Sequence, residues 1–228
     1  MALILSIETA TPICSVAVYN NNELLGSQTL YMEKSHSGML TPVIDTLIKQ
    51  CGFNMSDLDA VAVSGGPGSY TGLRIGVSTA KGICFSLDIP LISVNTLQAM
   101  AVGMQKYNTQ NALLCPMLDA RRMEVYSMVV DENLMELEST RPVVVDELSY
   151  TYFLNDREII FFGNGAGKCR EVITHPNAKF IELPVMNAEN VGVIANVKFS
   201  EQEFENVAYY EPYYLKEFRV STPKAKQI

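Results

Sequence analysis

The sequence predicts an α/β protein built as two similar halves, each a mixed sheet with flanking helices. Three observations carry that expectation. Short apolar runs rich in β-branched residues alternate with longer segments of helical periodicity. The first 105 residues read in the order β-β-β-α-β-α-β-α. The polar run Lys106-Tyr107-Asn108-Thr109-Gln110-Asn111 then breaks the pattern, and a weaker version of it restarts. The expected division is therefore an N-terminal half, 1–105, and a C-terminal half, 106–228, ending in a polar tail.

Leu3 to Ile7, Cys14 to Val18 and Leu24 to Leu30 read as a three-strand meander, with Asn20-Asn21-Asn22 as one turn. Ser35 or Ser37 can cap the next helix, whose Leu40, Val43, Ile44, Leu47 and Ile48 keep helical spacing until Gly52. Asp59 to Ser64 is a buried strand running into Gly65-Gly66-Pro67-Gly68-Ser69, a tight loop. A helix follows from Tyr70 to Leu87, with Gly72, Gly76 and Ala80 on one face, where another backbone can approach closely. Pro90 to Val94 is a strand and Thr96 to Gln105 a helix. In the second half, Leu113 to Leu118, Glu124 to Val130, Leu134 to Val145 (interrupted by Pro142) and Glu158 to Phe162 read as strands. Asp146 to Leu154 and Ala188 to Val197 read as helices, capped by Asp146 and Asn187.

Composition narrows the function classes. Of the 228 residues, 48% are hydrophobic and 18% charged, which excludes a disordered chain. The net charge of -8 makes a poor stand-alone nucleic-acid binder. Only two histidines, His36 and His175, argue against a multi-histidine metal enzyme. Five scattered cysteines without CxxC spacing read as buried free thiols, and a reducing cytoplasm is expected. The N-terminus has no basic region ahead of its apolar run, and no stretch approaches the ~18 apolar residues of a membrane span.

Two loops carry most of the chemical information. Ile7-Glu8-Thr9-Ala10-Thr11 places an acid and hydroxyls at a hairpin turn, where they can grip a phosphate or its cation; turn chemistry alone is the plainer reading. The run from Ser64 to Gly76 joins a strand to a helix through glycines, which bring N–H groups near an anion. A glycine-rich turn that binds nothing is its plain alternative. Gly163 to Lys168 fails the P-loop pattern, with Phe162 and Cys169 at its ends, and fails the dinucleotide pattern at Lys168.

The run GGPGSYTGLRIGVSTAKG, with LSIETATPICSVAV before it and DARRMEVY and EPYYLK after it, resembles the bacterial TsaB (YeaZ-like, glycoprotease-like) family of tRNA threonylcarbamoyladenosine biosynthesis proteins. The resemblance spans nearly the whole chain. It implies the actin-like, sugar-kinase-like (ASKHA, ribonuclease H-like) ATPase fold with two subdomains. It further implies a non-catalytic subunit that activates or scaffolds a metal-bearing paralogue, TsaD, alongside the ATPase TsaE. On that reading tRNA is met only through the complex, a homodimer can use the same surface, and no membrane is involved. The paralogue is expected to carry His-x-x-x-His on the helix after the last strand of the N-terminal half; Thr96 and Met100 stand there in this chain. Neither is a good ligand for a hard or borderline divalent ion, so neither a metal site nor a catalytic residue is expected.

In kinases of this fold an acid-x-Gly-Thr/Ser loop in each half holds phosphate. This chain keeps Glu8 but has Ala10 in the glycine's place, and Asp119-Ala120-Arg121-Arg122 replaces the second loop. Phosphotransfer is therefore not expected, while weak ATP or ADP binding stays open at Glu8, Thr9, Thr11, Gly65, Gly66, Gly68, Ser69, Arg121, Gly163 and Gly165. A kinase or ATPase of the same fold is the alternative function, and a metallopeptidase the remaining one. Helix-to-helix pairing implied by the resemblance would use Met39, Leu40, Val43 and Leu47 of the first helix and Leu73, Gly76, Val77 and Ala80 of the second. Val43→Glu or Val77→Glu is then expected to harm pairing more than folding. Burial of both stripes in the chain's own core is the competing reading. The basic residues Lys216, Arg219, Lys224 and Lys226 read as a solvated tail or an RNA contact within the complex.

Overall fold

A computed structural model describes residues 2–31, 36–183 and 185–215, the side chain of His36 excepted. The elements are β1 (Leu3–Glu8), β2 (Ile13–Asn20), β3 (Glu23–Tyr31), α1 (His36–Gln50), β4 (Ala60–Gly66), α2 (Tyr70–Leu87), β5 (Leu91–Asn95), α3 (Thr96–Gln105), β6 (Leu113–Asp119), β7 (Glu124–Val130), β8 (Glu136–Val144), α4 (Thr151–Leu154), β9 (Ile159–Phe162), β10 (Ala178–Ile181) and α5 (Ala188–Ser200).

The repeat expected from the sequence is structural. One sheet has the order β3-β2-β1-β4-β5 and the other, read from its meander edge, β8-β7-β6-β9-β10, which is the same order with each strand replaced by its counterpart five places on. In each, an antiparallel meander is extended by parallel strands on one side. The near-continuous apolar strands β1 and β4 are buried on both faces, as parallel central strands must be. Leu5, Ile7, Val61 and Val63 face α1 and α2, while Ile4, Ala60 and Ala62 face α5. Pro142 stays inside β8 because β8 is an edge strand, where a missing N–H leaves no ladder bond unmade.

Three expectations are corrected. The helix placed at 146–154 shrinks to Thr151–Leu154. Asp146 caps a turn instead, accepting from Leu148 N at 3.1 Å and from Ser149 Oγ at 2.7 Å. Strand β10, only four residues long and half-exposed, was not anticipated. The largest correction concerns the division at 105/106. Asn187 caps α5 as expected, its side chain accepting from Asn190 N at 3.0 Å. Yet Ala188, Val191 and Ala195 pack with Ile4, Ala17 and Ile92 on the first sheet. The chain thus returns to the N-terminal half, and 106–228 is not one spatial unit. Residues 205–214 follow, starting with a bridge between Glu205 and Leu91 beside the first sheet.

Candidate functional site

β1 and β4 run parallel, so both end at the same sheet edge and deliver Glu8 and Ser64 to one point. Glu8 is fully buried there. Its carboxylate accepts a hydrogen bond from Ser64 Oγ and another, at 2.5 Å, from Ala10 N. Burial pushes its pKa up to about 7, against the two hydrogen bonds, which pull it down. The next residues are clamped to α2. Thr9 Oγ1 donates to Gly72 O at 2.8 Å, and Ser69 N donates to Ala10 O at 2.7 Å. A Cβ at Gly72 or Gly76 would collide with Thr9, and one at Gly68 with Ala10. The small-residue face of α2 therefore receives the chain's own first loop, not a partner. Ser69 also caps α2, accepting from Gly72 N at 3.3 Å. Thr11 accepts from Ile13 N at 3.3 Å and lines the cleft.

Gly65 and Gly66 serve a second close approach. Tyr213 N donates to Gly65 O at 2.7 Å, and a Cβ on Gly66 (φ +120°) would lie 2.6 Å from Tyr213 O. Tyr210 OH meets Ser93 Oγ at 2.5 Å directly over Gly65, where a Cβ would strike both oxygens. Lys81 Nζ donates to the carbonyls of Ala208 and Tyr210 at 3.2 and 2.9 Å. The C-terminal segment thus covers these two glycines and shuts them off from any phosphate. They are corrected from ligand contacts to packing contacts, as is Glu8, sealed beneath Ala10.

The second wall is built by the β6–β7 turn. Arg121 and Arg122 both lie in the left-handed region, φ +71° and +51°, and both are exposed. Asp119 Oδ1 accepts from Arg121 N at 3.2 Å and pairs with Lys168, whose Nζ also donates to Glu124 O at 2.7 Å. Gly163 (φ +97°) and Gly165 press on the backbone of Met117 and Leu118, so they too are packing positions. Between them Asn164 turns toward the cleft and accepts from Asp119 N at 3.0 Å. Sequence reasoning missed it, although a polar residue between two constrained glycines is a usable signal. The cleft between the walls is about 930 Å³. Thr11, Gly68, Ser69 and Arg121 of the expected ligand set line it; Tyr70, Tyr126, Tyr213 and Tyr214 do as well.

The expected partner surface is also corrected. Leu40, Val43 and Leu47 are buried against the first sheet, as are Val77 and Ala80; Leu73 is buried as well, and Gly76 abuts Thr9. A two-layer arrangement of α1 and α2 over one sheet uses both stripes internally. Met39 alone of that set is exposed, at 37%. Thr96 and Met100 are fully buried, and Thr96 Oγ1 has no hydrogen-bond partner. Among the described residues, no three His, Cys, Asp or Glu side chains come together. The basic tail at 216–226 lies outside the described residues.

The profile of the family described as TsaD, tRNA N6-adenosine threonylcarbamoyltransferase, matches residues 30–222. The tRNA threonylcarbamoyladenosine biosynthesis protein TsaB of Escherichia coli K12 is 31% identical over 226 residues, covering 93% of this chain and 94% of that protein. A structure from Pseudomonas aeruginosa, described as an uncharacterized protein with similarity to peptidase YEAZ, superposes with a TM-score of 0.85 at 23% identity, covering 95% of this chain and 100% of the other. The activator of 2-hydroxyisocaproyl-CoA dehydratase from Clostridium difficile, solved with bound ADPNP, shares the fold at TM-score 0.51 and 12% identity over 90% of this chain and 98% of that one. The architecture is the actin-like, sugar-kinase-like one.

Proposed function

The chain belongs to the TsaB and TsaD family of tRNA threonylcarbamoyladenosine biosynthesis proteins, on its TsaB side, and from that premise we propose that it serves as a subunit without chemistry of its own. Its role is to activate or scaffold a metal-bearing TsaD-type paralogue that modifies the adenosine beside the tRNA anticodon. One observation carries the reading. Where that paralogue's two imidazoles are expected, Thr96 and Met100 are sealed in the interior, with side chains that do not hold a divalent ion. The one acid of the first loop, Glu8, is equally sealed. No helix among the described residues is long and apolar enough to cross a membrane, which accords with work on tRNA in the cytoplasm. A TsaE-type ATPase completes the assembly in this reading.

Reconstitution tests it. The purified chain alone should form no threonylcarbamoyladenosine, the paralogue alone little, and the two together with the ATPase should modify tRNA at a rate that follows the amount of complex. Equal modification without this chain overturns the reading. We place the paralogue, or a second copy of this chain, on the outer faces of α1 and α2, with Met39 as the apolar contact. Met39→Glu should then weaken pairing about tenfold while leaving the thermal midpoint within a few degrees. Val43→Glu, by contrast, buries an unpaired charge and should abolish the fold itself.

A further inference from the structure

We propose that the cleft between the two walls holds unpaired nucleotides of RNA without a divalent ion, Arg121 and Arg122 meeting the phosphodiester and the tyrosines taking the bases. The identity of the RNA as tRNA rests on the function proposed above; the chemistry of the cleft does not.

The charge distribution is the first support. The chain as a whole repels RNA at net -8. Yet among the described residues neither Arg121 nor Arg122 has a carboxylate within ion-pair distance. Asp119, on the N-terminal side of the turn, is already paired with Lys168. Counting that lysine, the two acids of the cleft, Asp119 and Glu124, are outweighed by one positive charge. Two adjacent guanidiniums on an exposed turn suit successive phosphates of one strand.

The opposite wall supplies aromatic rings. Tyr70 is already covered by Tyr214, ring centroids 4.8 Å apart, and by the Arg74 guanidinium, 5.5 Å from its centroid. Tyr213, 51% exposed, also lines the cleft and is the ring best placed to take a base. Aromatic faces of this kind stack only on bases released from a duplex, which selects single-stranded over paired RNA. A metal-bound triphosphate is disfavoured by the same geometry. Its cation would need more than one carboxylate, and with Glu8 sealed and Asp119 paired with Lys168 these acids offer it Glu124 at most. A phosphodiester carries one charge per residue and needs only the arginines.

The test uses the complete chain in complex with its paralogue. The probe is a fluorescein-labelled anticodon stem–loop hairpin, followed by anisotropy over a salt series. Arg121→Gln with Arg122→Gln should weaken binding about tenfold or more. It should also lower the slope of log affinity against log salt by about 1.4, at roughly 0.7 per lost phosphate contact. A fully paired duplex should bind weakly, and 4-thiouridine in the loop should crosslink to Tyr213 or Tyr214. An unchanged slope in the double variant, or equal affinity for the duplex, overturns the proposal. Should the double variant fail to fold, Tyr213→Ala takes its place. Loss of the crosslink and weaker hairpin binding in that variant are expected, and unchanged affinity overturns the proposal. Modification assays separate the two readings. A wild-type complex that forms no modified nucleoside defeats the proposed function. One that forms it with the same KM for tRNA after both arginine changes defeats only the cleft.

Discussion

The β1–β2 loop and the β6–β7 turn are counterparts in the two halves, yet they have been altered in opposite ways. The first is closed. Glu8 is buried, Thr9 is bonded to the α2 backbone, and the glycines opposite leave no room between helix and loop. The second is open. Arg121 and Arg122 stand exposed on left-handed backbone at the mouth of the cleft. The difference teaches that one position of a repeated fold can be drawn into the core in one half and left at the surface in the other.

The strongest way to break the comparison is to pry open the closed side. Gly72→Ala places a methyl group against the Thr9 carbonyl, a backbone atom that cannot swing aside. Overpacking against backbone should destabilise by about 3 kcal/mol or more, read by urea denaturation. Gly167→Ala in the second half is the control, since nothing lies within 4 Å of its added Cβ. It should change stability by less than about 0.5 kcal/mol. Equal effects would mean that the α2 contact is not what closes the loop.

The second prediction concerns the proton held there. Glu8 ionises near 7 in the folded chain, against an ordinary value of 4.5. Below 4.5 both folded and unfolded states carry the proton, and Glu8 adds no pH dependence. Between 4.5 and about 7 the unfolded chain releases it while the folded chain retains it, so stability falls as pH rises. The loss totals about 3 kcal/mol and is complete above the folded value. Glu8→Gln keeps a carbonyl for Ala10 N and cannot ionise. Its stability should therefore not fall across that window, and at pH 8 it should be at least as stable as the parent. A parent whose denaturation midpoint is flat from pH 5 to 7 contradicts the buried, unpaired character of this acid.

These two sites also mark what the sequence made legible. Helices α2 and α3 and strand β7 span the residues that periodicity indicates, and Ser69 and Asn95 fix the two helix starts locally as N-caps. Glycine spacing announced close approach at Gly72 and Gly76. It could not say what approaches, because the visitor, Thr9, lies some sixty residues away in the chain. The apolar stripes of α1 and α2 were equally visible, but a stripe does not reveal how many neighbours cover it. Helix α5 reads as a helix with its cap, yet nothing local sends it back to the first sheet. The arginine turn was legible as a departure from a glycine loop. Its left-handed backbone was not, because positive φ at arginine is seldom dictated by neighbouring residues.

The smallest expected effect tests the cover over Gly65, which completes the closed side. Tyr210 is largely buried, and its hydroxyl meets Ser93 Oγ across the glycine. Tyr210→Phe removes that bond but keeps the ring, and leaves one half-buried serine hydroxyl to find another partner. The expected loss is about 1 kcal/mol, a few degrees in Tm. The backbone bond from Tyr213 N to Gly65 O and the bonds from Lys81 Nζ to the carbonyls of Ala208 and Tyr210 hold the segment in place without it. Hydrogen exchange at Tyr213 should therefore remain protected in the variant. Loss of that protection would place the anchor of the segment in the single hydroxyl pair. It would then make the closed side conditional on a contact as light as those of the open one.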